Sequence, residues 1–363
     1  MKSRDEIQSE ISEKIINSGM WGIALCAPRT GKIKITLNCL DKNDSVLIAY
    51  PEVSIKKSWQ DDIKKWKFKG KKIEYTTFMS FKKIRKLYDI LVIDEIHLLS
   101  QAQMLAVAKY IQITGIKRVI GLTGTLNDDT KLSLYNFLKL PVIVNYPIEQ
   151  AVNDGVITDY KITVVSVPLS SEKNIKVKMR KGGDFMTSEK DTFNYLTNQI
   201  QYEQNPVKLK MMRLKRMGVI KKSQSKIDAT RKILTKYYNK RVLVFTGLTE
   251  VADNLGIKSY HSKKKDEKSK ESFINGKLNH LAVVRQLNTG VTFKSLDTCI
   301  INFFDSNSEN MAQKISRVTC KEYFNHSKIA NIIIICSTEQ QELLWLKKSL
   351  SFFDESKIKY INQ

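Results

Sequence analysis

The sequence has no Cys-x-x-Cys pair and no Cys/His grouping with metal-ligand spacing; its five cysteines stand apart at 26, 39, 299, 320 and 336. That excludes a disulfide framework and a structural zinc site as the organisers of the fold. Long apolar runs are missing as well. None, Ile332 to Cys336 included, comes near the roughly 20 residues that span a bilayer. MKSRDEIQSEISEK at the N-terminus is charged and amphipathic, without the apolar centre of a signal peptide, so the chain is read as soluble and cytoplasmic, with no membrane partner. Acidic residues are in short supply: 37 Asp and Glu stand against 61 Lys and Arg, a formal charge of +24. Such a charge repels itself in a compact state unless a polyanion shares the surface, which makes nucleic acid the first partner to consider. The abundance of Lys, Ile and Asn is also what an AT-rich genome encodes, and on that account part of the charge carries no functional meaning.

What is present is organised around LVIDEIHLLS, Leu91 to Ser100. Leu91, Val92 and Ile93 read as a strand buried on both faces. Asp94 and Glu95 then fall at its carboxyl end, where open α/β sheets place their ligands. Two readings stand side by side: metal and water chemistry, or an ordinary strand followed by a solvated turn.

A second feature lies upstream. Gly22 to Cys26 reads as a short buried strand running into Ala27-Pro28-Arg29-Thr30-Gly31-Lys32, with a helical pattern through Leu40. A strand, a tight loop ending in Gly-Lys and a helix make a phosphate cradle, because backbone N–H groups and the helix N-terminus face an anion that Lys32 also reaches. The loop departs from G-x-x-x-x-G-K-[ST] at both ends. Cys26 occupies the first glycine position, and Ile33 replaces the hydroxyl residue that ligates magnesium. Thr36, three residues on, substitutes for it only if the loop is shifted or a water bridges.

At 363 residues the chain exceeds the size at which one core stops growing, so two domains are expected. Residues 5 to 17 carry Ile7, Ile11, Ile15 and Ile16 at helical spacing. Strands follow at Val46–Tyr50, Ile73–Thr76 and Arg118–Leu122, the last ending in Thr123-Gly124-Thr125. Trp59, Ile63 and Trp66 mark a helix between the first two, and 101–112 reads as another. Alternating strands and helices predict a parallel sheet flanked by helices. From Leu132 to Tyr146 the pattern reads as irregular, with Pro141 and Pro147 bracketing a boundary. A second βα series runs from Lys161–Val167 through Val242–Phe245, Ile257–Tyr260, Leu281–Val284, Thr298–Phe303 and Ile329–Cys336, without a second Gly-Lys phosphate loop of the strand-loop-helix kind. Residues 171–238 interrupt it as a basic helical insertion. Ser188 caps one helix there, and Asn205, Pro206 and Gly218 read as cap, first turn and stop of another. Lys208, Lys210, Arg213, Lys215, Arg216, Lys221 and Lys222 either follow a nucleic-acid backbone or form a solvated helical face.

In this order the motifs resemble those of superfamily two helicases, in particular compact phage-type DNA helicases related to restriction-enzyme and chromatin-remodelling motors. APRTGKI is similar to motif I, LIAYPEVSIKKSW to Ia, YTTFMSF to Ib, VIDEIH to a DEAH-type motif II and GLTGT to III. VLVFTG resembles motif IV, LNTGVTF motif V and QKISRVTC motif VI. The resemblance implies two RecA-like domains, residues 1–145 and 161–363, joined by a linker at 146–160, with ATP hydrolysed at their interface and a strand of nucleic acid across both. It implies cytoplasmic location, in the host cell if the chain is phage-encoded, and a monomeric or loosely associated state.

Under that resemblance Lys32, within the loop Pro28, Arg29, Thr30 and Gly31, holds the β and γ phosphates. Asp94 holds Mg2+, and Glu95 polarises the attacking water. His97 couples the site to the other domain, against the plain alternative of a histidine at a helix start. Arg317 is the arginine finger, although Ser316 replaces the preceding glycine and Cys320 stands where a second arginine is usual. Gln313 contacts the nucleotide or its water. Arg4 and Gln8 make the adenine-side contact, or simply belong to the first helix. Pro51, Thr77, Thr246 and Thr289, with the amides of Gly247 and Gly290, grip the strand without reading bases. Thr123 and Thr125 transmit closure. The leading expectation is a DNA-dependent ATPase that translocates or unwinds. The alternatives are a helicase-fold accessory protein that has lost turnover, and an RNA-directed helicase.

Overall fold

The structure is a computed structural model, described here for residues 2–70, 72–178, 183–284, 293, 295–321 and 328–362. The chain forms two compact units. Among the described residues, one holds those of 2–159 and 308–321; the other holds those of 160–284, 293, 295–307 and 328–362.

The first unit begins with α1 (Arg4–Asn17), β1 (Trp21–Cys26), α2 (Lys32–Cys39), β2 (Ser45–Tyr50), α3 (Val53–Lys65) and β3 (Lys72–Thr77). It continues through β4 (Ile90–Asp94), α4 (Gln101–Thr114), β5 (Arg118–Thr123), α5 (Asp128–Leu138), β6 (Val142–Tyr146) and α6 (Ile148–Asn153). Its six strands lie in the order β3-β2-β4-β5-β1-β6, all parallel. β4 pairs with β2 on one side and β5 on the other, so every one of its positions is buried and the strand tolerates no polar residue before Asp94. Below it Leu91 and Ile93 meet Ile96, Met104, Val107, Leu134 and Leu138 in one core. α1 starts at a capping box, Ser3 with Glu6, and buries Ile7, Ile11 and Ile15. α4 starts at another, Ser100 with Gln103, and stops at Gly115, whose φ of +63° suits a residue without Cβ.

The stretch 132–146 is not irregular. It holds most of α5, capped by the Asn127 side chain with Leu134 and Leu138 buried, and the edge strand β6 paired to β1. An edge strand directly after Pro141 gives a weak pattern because only part of it faces the core. The stretch read as a linker, 146–160, carries α6 and belongs to the first unit up to Asp159.

The second unit holds β7 (Tyr160–Val167), β8 (Ile175–Lys178), β9 (Asp184–Thr187), α7 (Glu189–Tyr202), α8 (Pro206–Lys222), α9 (Gln224–Lys236), β10 (Val242–Thr246), α10 (Thr249–Asn254), β11 (Lys258–Tyr260), α11 (Glu267–Ile274), β12 (His280–Val284) and β13 (Thr298–Ile301). Then α12 (Ser308–Ile315) returns to the first unit, and β14 (Ala330–Ser337), α13 (Gln340–Ser349) and β15 (Ile358–Asn362) complete the second. Its sheet is also parallel, ordered β11-β12-β10-β13-β14-β7-β15. The insertion differs from a purely helical one. It opens with an antiparallel hairpin, β8 with β9. Its last helix, α9, buries Ile227, Ala229 and Leu234 in the core of the sheet. Gly218 does not stop α8, which runs on to Lys222 until Ser223 turns out to cap α9. Among the described residues no helix is long and apolar enough to cross a membrane.

Candidate active site

The ends of β1 and β4 lie on one edge of the first sheet, separated by β5, and each is followed by a tight turn. After β1, Gly31 takes φ +90° as the N-cap of α2, putting Lys32 at the first position of that helix. Two side chains of α1 hold this loop. Arg4 donates from Nη2 to the carbonyl of Arg29 at 2.5 Å, and Gln8 from Nε2 to the carbonyl of Thr30 at 2.8 Å. The fit is close: a Cβ on Gly31 would lie 2.3 Å from Gln8 Nε2. The carbonyls of Arg29 and Thr30 thereby face α1, while that of Ala27 accepts from Thr30 Oγ1 at 2.9 Å within the loop. Gln8 Oε1 is buried with no partner among the described residues, and Gln8 lines an open cavity of about 470 Å³ with Ser12, Lys34, Asn38 and Trp66.

After β4, Glu95 adopts a left-handed backbone, φ +51°, uncommon for a residue with a side chain. The turn brings its carboxylate to 3.7 Å from Lys32 Nζ. Asp94 stays behind in the protein: Trp59 donates its indole N–H to Oδ2 at 2.8 Å, and the Glu95 amide donates to Oδ1 at 3.0 Å. Burial, then the charge of Glu95, pushes the Asp94 carboxyl up to about 6. A divalent cation would offset both causes, and each oxygen of a carboxylate accepts more than one bond, so Asp94 fits a magnesium ligand. Among the described residues no group of three or more His, Cys, Asp or Glu side chains could hold a metal by itself. Ile33 supplies no oxygen, and Thr36 does not replace it. The Thr36 hydroxyl is buried and donates to the carbonyl of Lys32 at 2.9 Å.

His97 lies in the same turn, its side chain only 5% exposed. Thr123 Oγ1 donates to the carbonyl of Thr125 at 2.7 Å, so its one hydrogen is committed, and the 2.9 Å contact with His97 Nδ1 uses an N–H of the imidazole. Nε2 then carries the lone pair, buried and without a partner among the described residues. Burial lowers the His97 pKa, in keeping with a neutral ring. Gly124, between the two threonines, lies under the loop, where a Cβ would sit 2.9 Å from Pro28 Cγ and 3.4 Å from Lys32 Nζ.

α12 and the turn after it belong to this same unit. Gln313 is half-buried on α12, and its carbonyl accepts from Ser316 Oγ at 2.7 Å. Arg317 is buried; burial and the charge of Arg29 lower its pKa well below the usual range, while Glu95 favours its charge. Pro51 and Thr77 lie at the carboxyl ends of β2 and β3, on the edge that carries Lys32 and Asp94. Thr77 Oγ1 accepts from the Ser80 amide at 3.2 Å. In the second unit Thr246 is buried at the end of β10 with its hydroxyl donating to the carbonyl of Leu248 at 3.2 Å. Gly247 is required by Phe303, whose ring would be 2.8 Å from a Cβ there. Thr289 and Gly290 lie outside the described residues.

Two features of the site were not read from the sequence. Trp59 reads as one apolar position of a helix, and only the fold shows its N–H on Asp94. Glu309 of α12 is buried and accepts from Asn127, from Nδ2 at 2.7 Å and from the amide at 3.2 Å, fixing α12 to the start of α5. The residues are 182 positions apart, and no local signal joins them.

No protein-family model matches the chain. By sequence it is similar to the DNA 3'-5' translocase XPB2 of Sulfurisphaera tokodaii, with 22% identity over 333 residues, 83% of this chain and 75% of that protein. By structure it is similar to the ATP-dependent Type ISP restriction-modification enzyme LlaBIII bound to DNA, with a TM-score of 0.62 and 13% identity over 100% of this chain. The chain spans 31% of that enzyme's length. It is also similar to S. cerevisiae Dbp5 bound to RNA and ADP BeF3, with a TM-score of 0.60 and 10% identity over 98% of this chain and 89% of Dbp5. The two units are RecA-like domains of helicase type, each a mainly parallel sheet flanked by helices, as the order of motifs predicted. The sequence likeness supports a relationship with the superfamily two helicases.

Proposed function

We propose that the chain is an ATP-dependent DNA translocase or helicase in which VIDEIH serves as a DEAH-type motif II. The observation that carries this reading is the convergence, within one unit, of the Gly-Lys loop, the Lys32–Glu95 pair at 3.7 Å, the buried Asp94 and the segment with Arg317. Lys32 and the loop amides hold the phosphates. Asp94 holds magnesium, which when bound supplies positive charge to the phosphate oxygens. Glu95 takes the proton of the attacking water, aimed by its left-handed backbone. Arg317 adds charge against the terminal phosphate, and Gln313 and His97 Nε2 orient groups around it. Gln8 Oε1 suits an adenine amine. Pro51, Thr77, Thr246 and Gly247 offer hydroxyls and amides for a backbone grip, joined by Thr289 and Gly290. The name of the sequence relative and the DNA in the LlaBIII complex support DNA as the track, the nucleotide in the Dbp5 complex supports ATP as fuel, and the charge of +24 supports a polyanion.

The test is phosphate release with and without single-stranded DNA, beside a matched RNA at the same salt. Stimulation by DNA is expected, with Glu95→Gln losing on the order of 100-fold or more in turnover. No stimulation by either polymer sinks the proposal; preference for RNA moves the track to RNA. Ile33 favours a second reading, a nucleic-acid-binding accessory without turnover, since the Thr36 hydroxyl is committed to the Lys32 carbonyl. On that reading the parent is inert and Ile33→Thr with Cys320→Arg restores hydrolysis; an active parent excludes it.

A further inference from the structure

Arg29 holds a left-handed backbone, φ +73°, in the middle of the phosphate loop. Residues with a Cβ adopt this region rarely, and such strain persists where surroundings or function enforce it. The Arg29 carbonyl accepts from Arg4, and its side chain turns towards the segment after α12, where Nε donates to the carbonyl of Ser316 at 3.3 Å. Arg317 is the next residue. The charge of Arg29 acts on the buried Arg317, and that of Arg4, whose guanidinium bonds the Arg29 carbonyl, acts on Arg29; none of the three sheds its charge, because arginine stays protonated in proteins. Their mutual repulsion opposes the charge of Arg317, which Glu95 favours. Cations gathered against their own repulsion, around the end of a loop built to hold phosphate, describe a site for a multiply charged anion.

We infer that the Arg29 side chain is the second cation of this site, acting beside Arg317 on the terminal phosphate of the nucleoside triphosphate, and that the loop retains a strained arginine for this purpose. Under the family resemblance Arg29 is only a member of the loop around Lys32; in this assignment its guanidinium distinguishes triphosphate from diphosphate. The inference rests on the nucleotide reading above.

The test uses the full chain, ADP and the β,γ-imido analogue of ATP, with magnesium, and three readouts: affinity for each nucleotide, their ratio, and the unfolding midpoint without nucleotide. Arg29→Gly removes the guanidinium while relieving the left-handed backbone. The expected result is binding of the triphosphate analogue weakened on the order of tenfold or more, ADP within about twofold of the parent, and a midpoint unchanged or raised. Arg29→Lys should recover part of the triphosphate preference, since a point charge replaces a fork. If Arg29 is only a strut for the Ser316 turn, Arg29→Gly lowers the midpoint and leaves the ratio of the two affinities at the parent value, and the inference is overturned. An unchanged ratio overturns it at any midpoint. A parent that binds neither nucleotide refutes the nucleotide reading itself, a result distinct from a parent that binds both and a variant that keeps their ratio.

Discussion

Trp59 Nε1 donates to Asp94 Oδ2 at 2.8 Å, with both side chains buried. The bond ties the middle of α3 to the last residue of β4, and it opposes the burial that pushes the Asp94 carboxyl up. Trp59→Phe keeps the apolar bulk and removes the donor. The carboxyl should then titrate above its present value of about 6, and magnesium should be held less well. We expect a several-fold rise in the magnesium concentration that gives half-maximal phosphate release, and a loss of about 1–3 kcal/mol in denaturant unfolding at neutral pH. An unchanged magnesium dependence would reduce Trp59 to a packing role.

Asp94 itself should cost the protein stability at neutral pH. Its folded value of about 6 lies above the usual 3.8, so the folded state holds this proton the more tightly. The resulting contribution is complete below about pH 4 and is lost as pH rises through about 6. Above that, the buried charge opposes folding by on the order of 2–3 kcal/mol, at 1.36 kcal/mol per unit. Asp94→Asn should therefore unfold at a higher temperature than the parent at pH 7.5 and show no such advantage at pH 4, while phosphate release collapses. Thermal scans of both proteins at the two pH values decide it; a variant less stable at pH 7.5 would show that the bonds from Trp59 and Glu95 outweigh the burial of charge.

What the sequence made legible follows from the range of the signals. β4 and the Gly-Lys loop are local patterns, an apolar run ending in carboxylates and a strand-loop-helix ending in Gly-Lys, and both elements lie in the structure where the pattern places them. The series of strands that forms two parallel sheets was legible for the same reason. β6 was not, because an edge strand after a proline buries too few residues to show a period. Nor was the course of α8, where Gly218 suggests a stop that nothing at that position enforces: no atom lies within 4 Å of a Cβ there and its φ is not positive. The contacts of Trp59 with Asp94, Asn127 with Glu309 and Arg29 with Ser316 join residues from 35 to 287 positions apart, which only the folded chain brings together.

His97 gives a pH dependence of opposite sign to that of Asp94. Burial lowers its pKa, so the unfolded chain binds the proton better. Stability from the neutral ring is present above the ordinary histidine value of about 6.5 and is lost as pH falls below it. Burial outweighs the carboxylates that favour the charged ring, Glu95 with Oε2 at 3.5 Å from Nδ1 and Glu309 beyond it, while Nε2 is enclosed without a partner among the described residues. His97→Gln should lose less stability than the parent between pH 7 and pH 5. Denaturant midpoints for the pair across that interval measure the difference; parallel curves would mean that His97 titrates as it does in the unfolded chain.

In the second unit Lys226 and Glu342 form an ion pair whose side chains are 1% and 0% exposed. Glu342 also accepts from the Ser337 amide at 2.8 Å, and the charge of Glu342, after burial, pushes the neighbouring Cys336 thiol up. The backbone carbonyl of Lys226 accepts from Thr230 Oγ1 and from Nδ2 of Asn302, the residue after β13. The pair fixes α9 and α13 against the centre of the sheet that carries Thr246 and Gly247. Removing one partner strands the other as a buried charge, which costs about 3–5 kcal/mol, whereas a neutral pair of similar volume avoids that penalty. Lys226→Met should therefore be strongly destabilising. Adding Glu342→Gln to it should restore much of the loss, because glutamine still accepts from Ser337 and no charge is left uncompensated. Denaturant unfolding of the parent, both single variants and the double variant gives the coupling between the two sites. If the double variant is no more stable than Lys226→Met alone, a stranded charge on Glu342 is not what the single variant loses.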